Sequence, residues 1–289
     1  MKPLTTPVIF SLPFHFQKFP ARFASIGSCF SEKAVSLLKN AGFTCCSNPN
    51  GIVYNPVSIK ESLRRITGDI PYTEEDFFCF NGLYHSFDHH GCFSKPVLED
   101  AVSAAENARK EFRDFLKMPC PVAITFGTAV VFRREKNKKI AANCHKLPGH
   151  EFSRELLSLE KCLADATDMA EMIFKTGDHP LLLTVSPVRH HPGDPVLNTR
   201  SKSILIETCH RLTERFPGKC AYFPAFELLH DELRDYRFYD TDMIHPSQVA
   251  EEYILETFIR KCYPETAEKI LAEAYKNIKR NSHIPGGVK

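Results

Sequence analysis

Apolar positions in this chain follow two alternating rhythms. Short, nearly continuous runs occur at Phe23-Ala-Ser-Ile26, Phe43 to Cys46, Pro121-Val-Ala-Ile-Thr-Phe126, Pro180-Leu-Leu-Leu-Thr-Val185 and Ala221-Tyr-Phe223. They have the length and continuity of strands buried on both faces. Between them the apolar residues recur every three or four positions, as in Ala101, Ala105, Ala108, Phe112 and Phe115. That spacing predicts helices over about 31–40, 58–66, 98–117, 153–175 and 199–216, with two more, about 247–262 and 265–281, after the last strand. Strands alternating with helices predict a mainly parallel sheet covered on both faces, a three-layer α/β/α sandwich.

Three stretches break the alternation. Residues 1–22 are rich in Pro and Phe without a helical period, and read as an extended arm lying on a single α/β domain over 23–281. Within about 72–95, Phe77 to Phe80 and Leu83 to Ser86 flank Asn81-Gly82, a hairpin insertion with the turn chemistry such a loop needs. Thr128 to Arg134 and Ile140 to His145 read as a second hairpin, whose Lys-rich tip is solvated. The tail, 282–289, is expected to fray.

Candidate chemistry lies at two places far apart in the sequence. Phe23 to Ile26 ends at Gly27, passes through Ser28 and Cys29, and turns helical. A strand, tight turn and helix in that order bring a small nucleophile to the C-terminal rim of the sheet, over the open N–H groups of the next helix. Plain N-capping by Ser28 or Ser31 is the competing reading. Near the other end, Asp242 and His245 precede Pro246 and an amphipathic helix. There a carboxylate can orient an imidazole that reaches a nucleophile brought in by the fold, although Asp242 or Ser247 can equally serve as a helix cap. Arg189 follows the 180–187 run on the same rim and is a candidate contact for a polar or anionic group.

Gly27-Ser28-Cys29-Phe30, Asn143-Cys144-His145-Lys146 and Asp242-x-x-His245-Pro246, in that order, resemble the GSCFA family of the SGNH (GDSL-like) hydrolase clan. The likeness runs from about Phe23 to the helix after His245; Ser31 stands where the family's motif has Ala. It implies a flavodoxin-like sandwich and a Cys or Ser, His, Asp site, with Cys29 on the clan's catalytic serine and Ser28 on the preceding Asp. It also implies oxyanion donors: Gly51 or Asn55 after the second strand, unless these only serve a turn and a helix cap. In the third block Gly127-Thr128-Ala129 lacks the clan's Asn, leaving Thr128 or Asn143, with His145 beside it, as substitutes. The implied activity is acyl-ester hydrolysis or acyl transfer on an acylated small molecule or glycan. A silent scaffold that binds such a ligand is the alternative.

Composition narrows the remaining classes. With 289 residues, 43% of them hydrophobic, the chain can bury a large core, and a formal charge of +2 gives no electrostatic case for nucleic acid or an anionic membrane. The N-terminus is broken by prolines before a signal core can form, and 11 scattered cysteines without a paired CxxC set suggest reduced thiols, so a cytoplasmic protein is expected. No cofactor is expected. Cys144, His145 and His150 fall short of the four spaced ligands of a structural zinc, so no metal is expected either.

Overall fold

The computed structural model describes residues 5–16 and 21–282. Five strands, β1 (Arg22–Gly27), β2 (Thr44–Ser47), β5 (Val122–Phe126), β9 (Leu181–Val185) and β10 (Cys220–Phe223), form one sheet in the order β10-β9-β5-β1-β2. Every pairing in it is parallel.

Alternation along the strands feeds two cores. Phe23, Ala123 and Leu182 point to one face, where helices α1 (Cys29–Asn40), α7 (Gln248–Cys262) and α8 (Ala267–Ser282) pack. Ala24, Ile26, Val122, Ile124, Leu181 and Leu183 point to the other, covered by α2 (Pro56–Thr67), α3 (Leu98–Phe115), α4 (Leu159–Thr176) and α5 (Pro195–Arg215). The fold is therefore a three-layer α/β sandwich. The chain moves outward from β1 to β2 and then returns to β5 on the other side of β1. Strand order thus reverses at β1, and the crevice beyond the C-terminal ends of β1 and β5 is where open α/β sheets bind ligands.

The described part of the arm packs on the first core: Leu12 and Phe16 are buried there, and Phe16 N–H donates to the Cys262 carbonyl at 2.7 Å. Residues 1–4, 17–20 and 283–289, which include nearly all of the tail, lie outside the described residues. The insertion contains the hairpin β3 (Phe78–Phe80) and β4 (Leu83–His85). Beyond β5, the strands β6 (Val130–Arg134), β7 (Ile140–Ala141) and β8 (Phe152–Leu156) make a small antiparallel sheet in the order β7-β6-β8.

β8 corrects the helix expected from residue 153. Its backbone pairs with β6 from Val130↔Leu156 to Arg134↔Phe152. The helix starts only after Ser158, whose hydroxyl accepts the Lys161 N–H at 3.2 Å. An available edge and a strong N-cap together outweigh the helical spacing. Three other helices begin earlier than their periodicity suggests: α1 at Cys29, α2 at Pro56, and α5 at Pro195, capped by Asp194, which accepts the Leu197 N–H at 2.9 Å. No helix among the described residues is long and apolar enough to cross a membrane.

Candidate active site

Gly27 makes the turn. Its φ is +138°, and a Cβ there would lie 2.1 Å from the Thr125 carbonyl oxygen on β5, so only glycine lets the two strands approach. The turn is tied down on three sides. Gly27 N–H donates to Asn48 Oδ1 at 2.9 Å, Ser28 N–H to Thr125 O at 3.1 Å, and Val53 N–H to Gly27 O at 3.1 Å. Asn48 also donates to Glu32 at 3.1 Å, locking the loop after β2 onto α1.

Within this turn the two candidate nucleophiles differ. Ser28 occupies the N-cap position of α1, yet its side chain caps nothing; it is fully buried and its hydroxyl has no hydrogen-bond partner among the described residues. Cys29 is half-buried and lines a cavity of about 460 Å³. Its neighbours around that cavity are Phe30, Lys33, Val188, His245 and Glu251, among others. The turn thus aims the thiol outward and the hydroxyl inward.

His245 comes to the same cavity from the loop just before α7, which follows β10, the short helix α6 (Ala225–Glu227) and the helical turns over Leu228–Leu233 and Tyr236–Phe238. Its Nδ1 is 2.7 Å from Asp242 Oδ2, leaving Nε2 as the ring nitrogen available to a substrate or nucleophile. Asp242 Oδ1 accepts the backbone N–H groups of Ile244 and His245 at 2.8 and 2.9 Å. The bonds from the imidazole and these amides hold the Asp242 carboxyl down at about 2, so it is a carboxylate at neutral pH. The loop is closed by Asp240 N–H to His245 O at 2.8 Å and anchored by Arg189 N–H to Ile244 O at 3.0 Å. Ser247 caps α7, accepting the Ala250 N–H at 3.4 Å, so Asp242 is not the cap of that helix.

Burial raises the Cys29 thiol above its ordinary value, and the carboxylates of Glu251 and Glu32 push the same way. The N–H groups of Phe30 and Cys29 at the start of α1 pull it down, but by less. A helix N-terminus acting alone favours the thiolate. Desolvation outweighs that terminus here, and the resting group is a thiol that needs a base.

The other candidates lie outside this cavity's lining. Gly51, at φ +72°, serves a turn: its N–H donates to Asn48 O at 2.8 Å, and a Cβ would come within 2.5 Å of His90 Cβ. Asn55 Oδ1 caps α2 through the Ser58 N–H at 2.9 Å. Thr128 is committed to a local network, its hydroxyl 3.0 Å from both His191 Nε2 and Ser201 Oγ and its N–H 3.1 Å from Tyr54 O. Asn143 Oδ1 accepts the His145 N–H at 2.8 Å, and His145 Nε2 reaches Ser86 O at 2.7 Å, so both belong to the seam between the insertion and the small sheet. Arg189 lies over the Tyr239 ring at 4.1 Å.

Three contributors escaped sequence reasoning. Asn48 stands in Asn48-Pro-Asn-Gly51, which signals a turn and conceals its second task of accepting from Gly27. His190 presses its Nε2 to within 2.8 Å of the point a Gly127 Cβ would occupy, its ring 4.9 Å from that of Tyr54. Lys202 is wholly buried on α5. A larger cleft, of about 790 Å³, lies between α2, the insertion and the β6–β7 tip, and contains neither Cys29 nor His245. The described residues hold no group of three or more His, Cys, Asp or Glu placed to bind a metal.

No curated protein matches the chain. A solved structure from Bacteroides fragilis, described provisionally as an acylhydrolase, is similar at a TM-score of 0.44 and 11% identity, over 88% of this chain and 91% of that one. The GSCFA family matches residues 22–258, from the first residue of β1 into α7, a span that contains both the Gly27-Ser28-Cys29 turn and the Asp242/His245 loop. The chain belongs to the GSCFA family.

Proposed function

We propose that this protein is an acyl-transfer enzyme, a hydrolase or acyltransferase acting on an acyl ester of a small molecule or glycan, with Cys29 as nucleophile. The observation that carries the reading is that Cys29 and His245 line one cavity while Asp242 holds His245 by its Nδ1. Nε2 of His245 takes the Cys29 proton as the sulfur attacks the ester carbonyl. The N–H groups of Cys29 and Phe30 lie at the start of α1 and meet the developing oxyanion, each such donor being worth about 3 kcal/mol. The imidazolium returns its proton to the departing alkoxide, leaving a thioester on Cys29. Water or an acceptor hydroxyl, deprotonated by His245, then releases the acyl group. Asp242 fixes the ring and balances its charge throughout.

One observation favours a second reading, a scaffold that binds a glycan or acyl group without turnover: burial, with the carboxylates of Glu251 and Glu32 acting the same way, holds the thiol up. Chromogenic acetyl and butyryl esters, assayed with wild type, Cys29→Ala and His245→Ala, separate the two. Turnover lost in both variants supports the enzyme. Silence of the wild type together with tight ligand binding supports the scaffold.

A further inference from the structure

The cleft of about 790 Å³ between α2, the insertion and the β6–β7 tip has a charge unlike that of the rest of the chain. Nine Lys and Arg line it against four Asp and Glu. The formal charge of the whole chain is only +2, so everything outside the cleft is net negative. Its size is that of a small-molecule site.

The two walls differ in how their charges are matched. On the α2 side, Arg64 pairs with Glu61 at 2.7 Å, and Arg65 meets Asp76 at 2.6 Å and Asp88 at 3.7 Å. Lys60 and Lys161 are both taken by Asp165. On the hairpin side, Arg133 pairs with Glu155 and Lys138 with Glu135. Among the described residues Arg134, Lys136 and Lys139 form no ion pair, and Glu75 is the one lining carboxylate that forms none.

The three unmatched cations are held together by the backbone. Arg133 pairs with Ile140, and Arg134 N–H donates to Lys139 O at 2.8 Å, so Arg134 and Lys139 stand opposite each other on the hairpin. Lys136 lies in the turn between them, which is closed by Lys138 N–H to Arg134 O at 2.8 Å and Lys139 N–H to Asn137 Oδ1 at 3.1 Å. Like charges directly opposed destabilise a strand pair. An anion lying between them reverses the sign of that interaction. The Arg134 guanidinium is also fixed in place: it lies 3.7 Å from the centre of the Phe87 ring, which stacks on Phe78 at 4.2 Å and 14°. Among the described residues its N–H groups donate to no protein acceptor, which leaves a planar fork of the kind that binds phosphate.

We propose that this cleft is a second binding site, for a small ligand carrying a di- or triphosphate group, held by Arg134, Lys136 and Lys139. The excess of these cations over Glu75 is two charges, more than a single carboxylate would balance. The net negative remainder of the chain repels an extended polyanion such as nucleic acid, whereas a compact phosphate chain fits within the cleft. The site contains neither Cys29 nor His245, so the inference is independent of the acyl-transfer reading.

Calorimetric titration of the full chain at low salt, with EDTA present, tests it with inorganic tripolyphosphate, ATP and adenosine as probes. Tripolyphosphate and ATP bind at one site, and adenosine does not. Arg134→Gln and Lys139→Gln each weaken binding by at least about tenfold. Lys175→Gln, which removes an exposed cation at the end of α4 outside the cleft, leaves it unchanged. Circular dichroism confirms that the variants are folded, and without ligand Lys139→Gln melts no lower than wild type, because the opposed charges are relieved. Tighter binding of ATP than of tripolyphosphate identifies a nucleotide as the ligand class, and equal binding identifies the phosphate chain alone; both support the site. Silence of both phosphates at millimolar concentration, adenosine matching ATP, or Lys175→Gln losing as much affinity as Lys139→Gln overturns it.

Discussion

Replacing Gly27 by Ala tests whether the turn is dictated by close backbone approach. At φ +138°, the new side chain enters a conformation L-residues rarely adopt, a strain of about 1–2 kcal/mol. The added Cβ meets Thr125 O at 2.1 Å, and the obstacle is backbone in the middle of the sheet. Relieving such overpacking costs about 1–3 kcal/mol. Separating β1 from β5 also weakens the Ser28 N–H bond to Thr125 O, about 1 kcal/mol more. The sum is about 4 kcal/mol, or a fall of about 6–8 °C in melting temperature for a chain this long. Gly42 is the internal control: its φ is +91°, but a Cβ there meets nothing within 4 Å, so Gly42→Ala costs only the strain, about 1–2 kcal/mol. Urea denaturation of wild type and both variants gives the stabilities, and iodoacetamide labelling reports whether Cys29 still faces its cavity. A Gly27→Ala protein within about 1 kcal/mol of Gly42→Ala would refute the close-approach argument.

Other outcomes follow from the charges and partners at the site. His245→Ala and Asp242→Asn keep the fold, since both side chains are nearly half exposed (48% and 43%), while each lowers the rate of Cys29 acylation by about 10²–10⁴-fold; a variant that instead unfolds marks its residue as structural. Glu251→Gln removes an anion that holds the thiol up, so Cys29 alkylation shifts to lower pH and quickens at pH 8, and a shift in the other direction contradicts the assignment. Asn48→Ala strips the acceptor from Gly27 N–H and should slow acylation more than it lowers the melting temperature, with equal effects on both counting against a positioning role. Burial raises Asp88 to about 6, so the folded state takes up its proton more readily than the unfolded chain, and stability from this group is lost as pH rises through 6. Asp88→Asn is therefore more stable than wild type at pH 8, with the gain shrinking at pH 5, as thermal melts at the two pH values would show.

Much of this molecule is legible in its sequence because the signals involved are local. β5 and β9 declare themselves by apolar continuity, and the turn at Gly27 by a glycine between a buried strand and a helical repeat. Asp242 and His245 are three residues apart, so their contact depends on one loop. β8 was missed because its partner, β6, lies elsewhere in the chain and no single-segment period reports an available edge. The divergence of Ser28 and Cys29 depends on how the turn seats against Thr125. The raised thiol depends first on burial by the packed fold and then on Glu251, a carboxylate delivered by a distant helix. Lys202 is the clearest case: within α5 it reads as one of several cations, and only the ends of β5 and β9 reveal it as a buried amine on two carbonyls.

The atom that takes the acyl group distinguishes Cys29 from Ser28 most directly. Protein mixed briefly with p-nitrophenyl acetate, quenched in acid, digested and sequenced by tandem mass spectrometry reports the modified residue, and neutral hydroxylamine, which cleaves thioesters but spares serine esters, provides a chemical check. The prediction is one acetyl group on Cys29, removed by hydroxylamine, strongly reduced in His245→Ala and absent in Cys29→Ala. An acetyl group on Ser28 that resists hydroxylamine and persists in Cys29→Ala would contradict it.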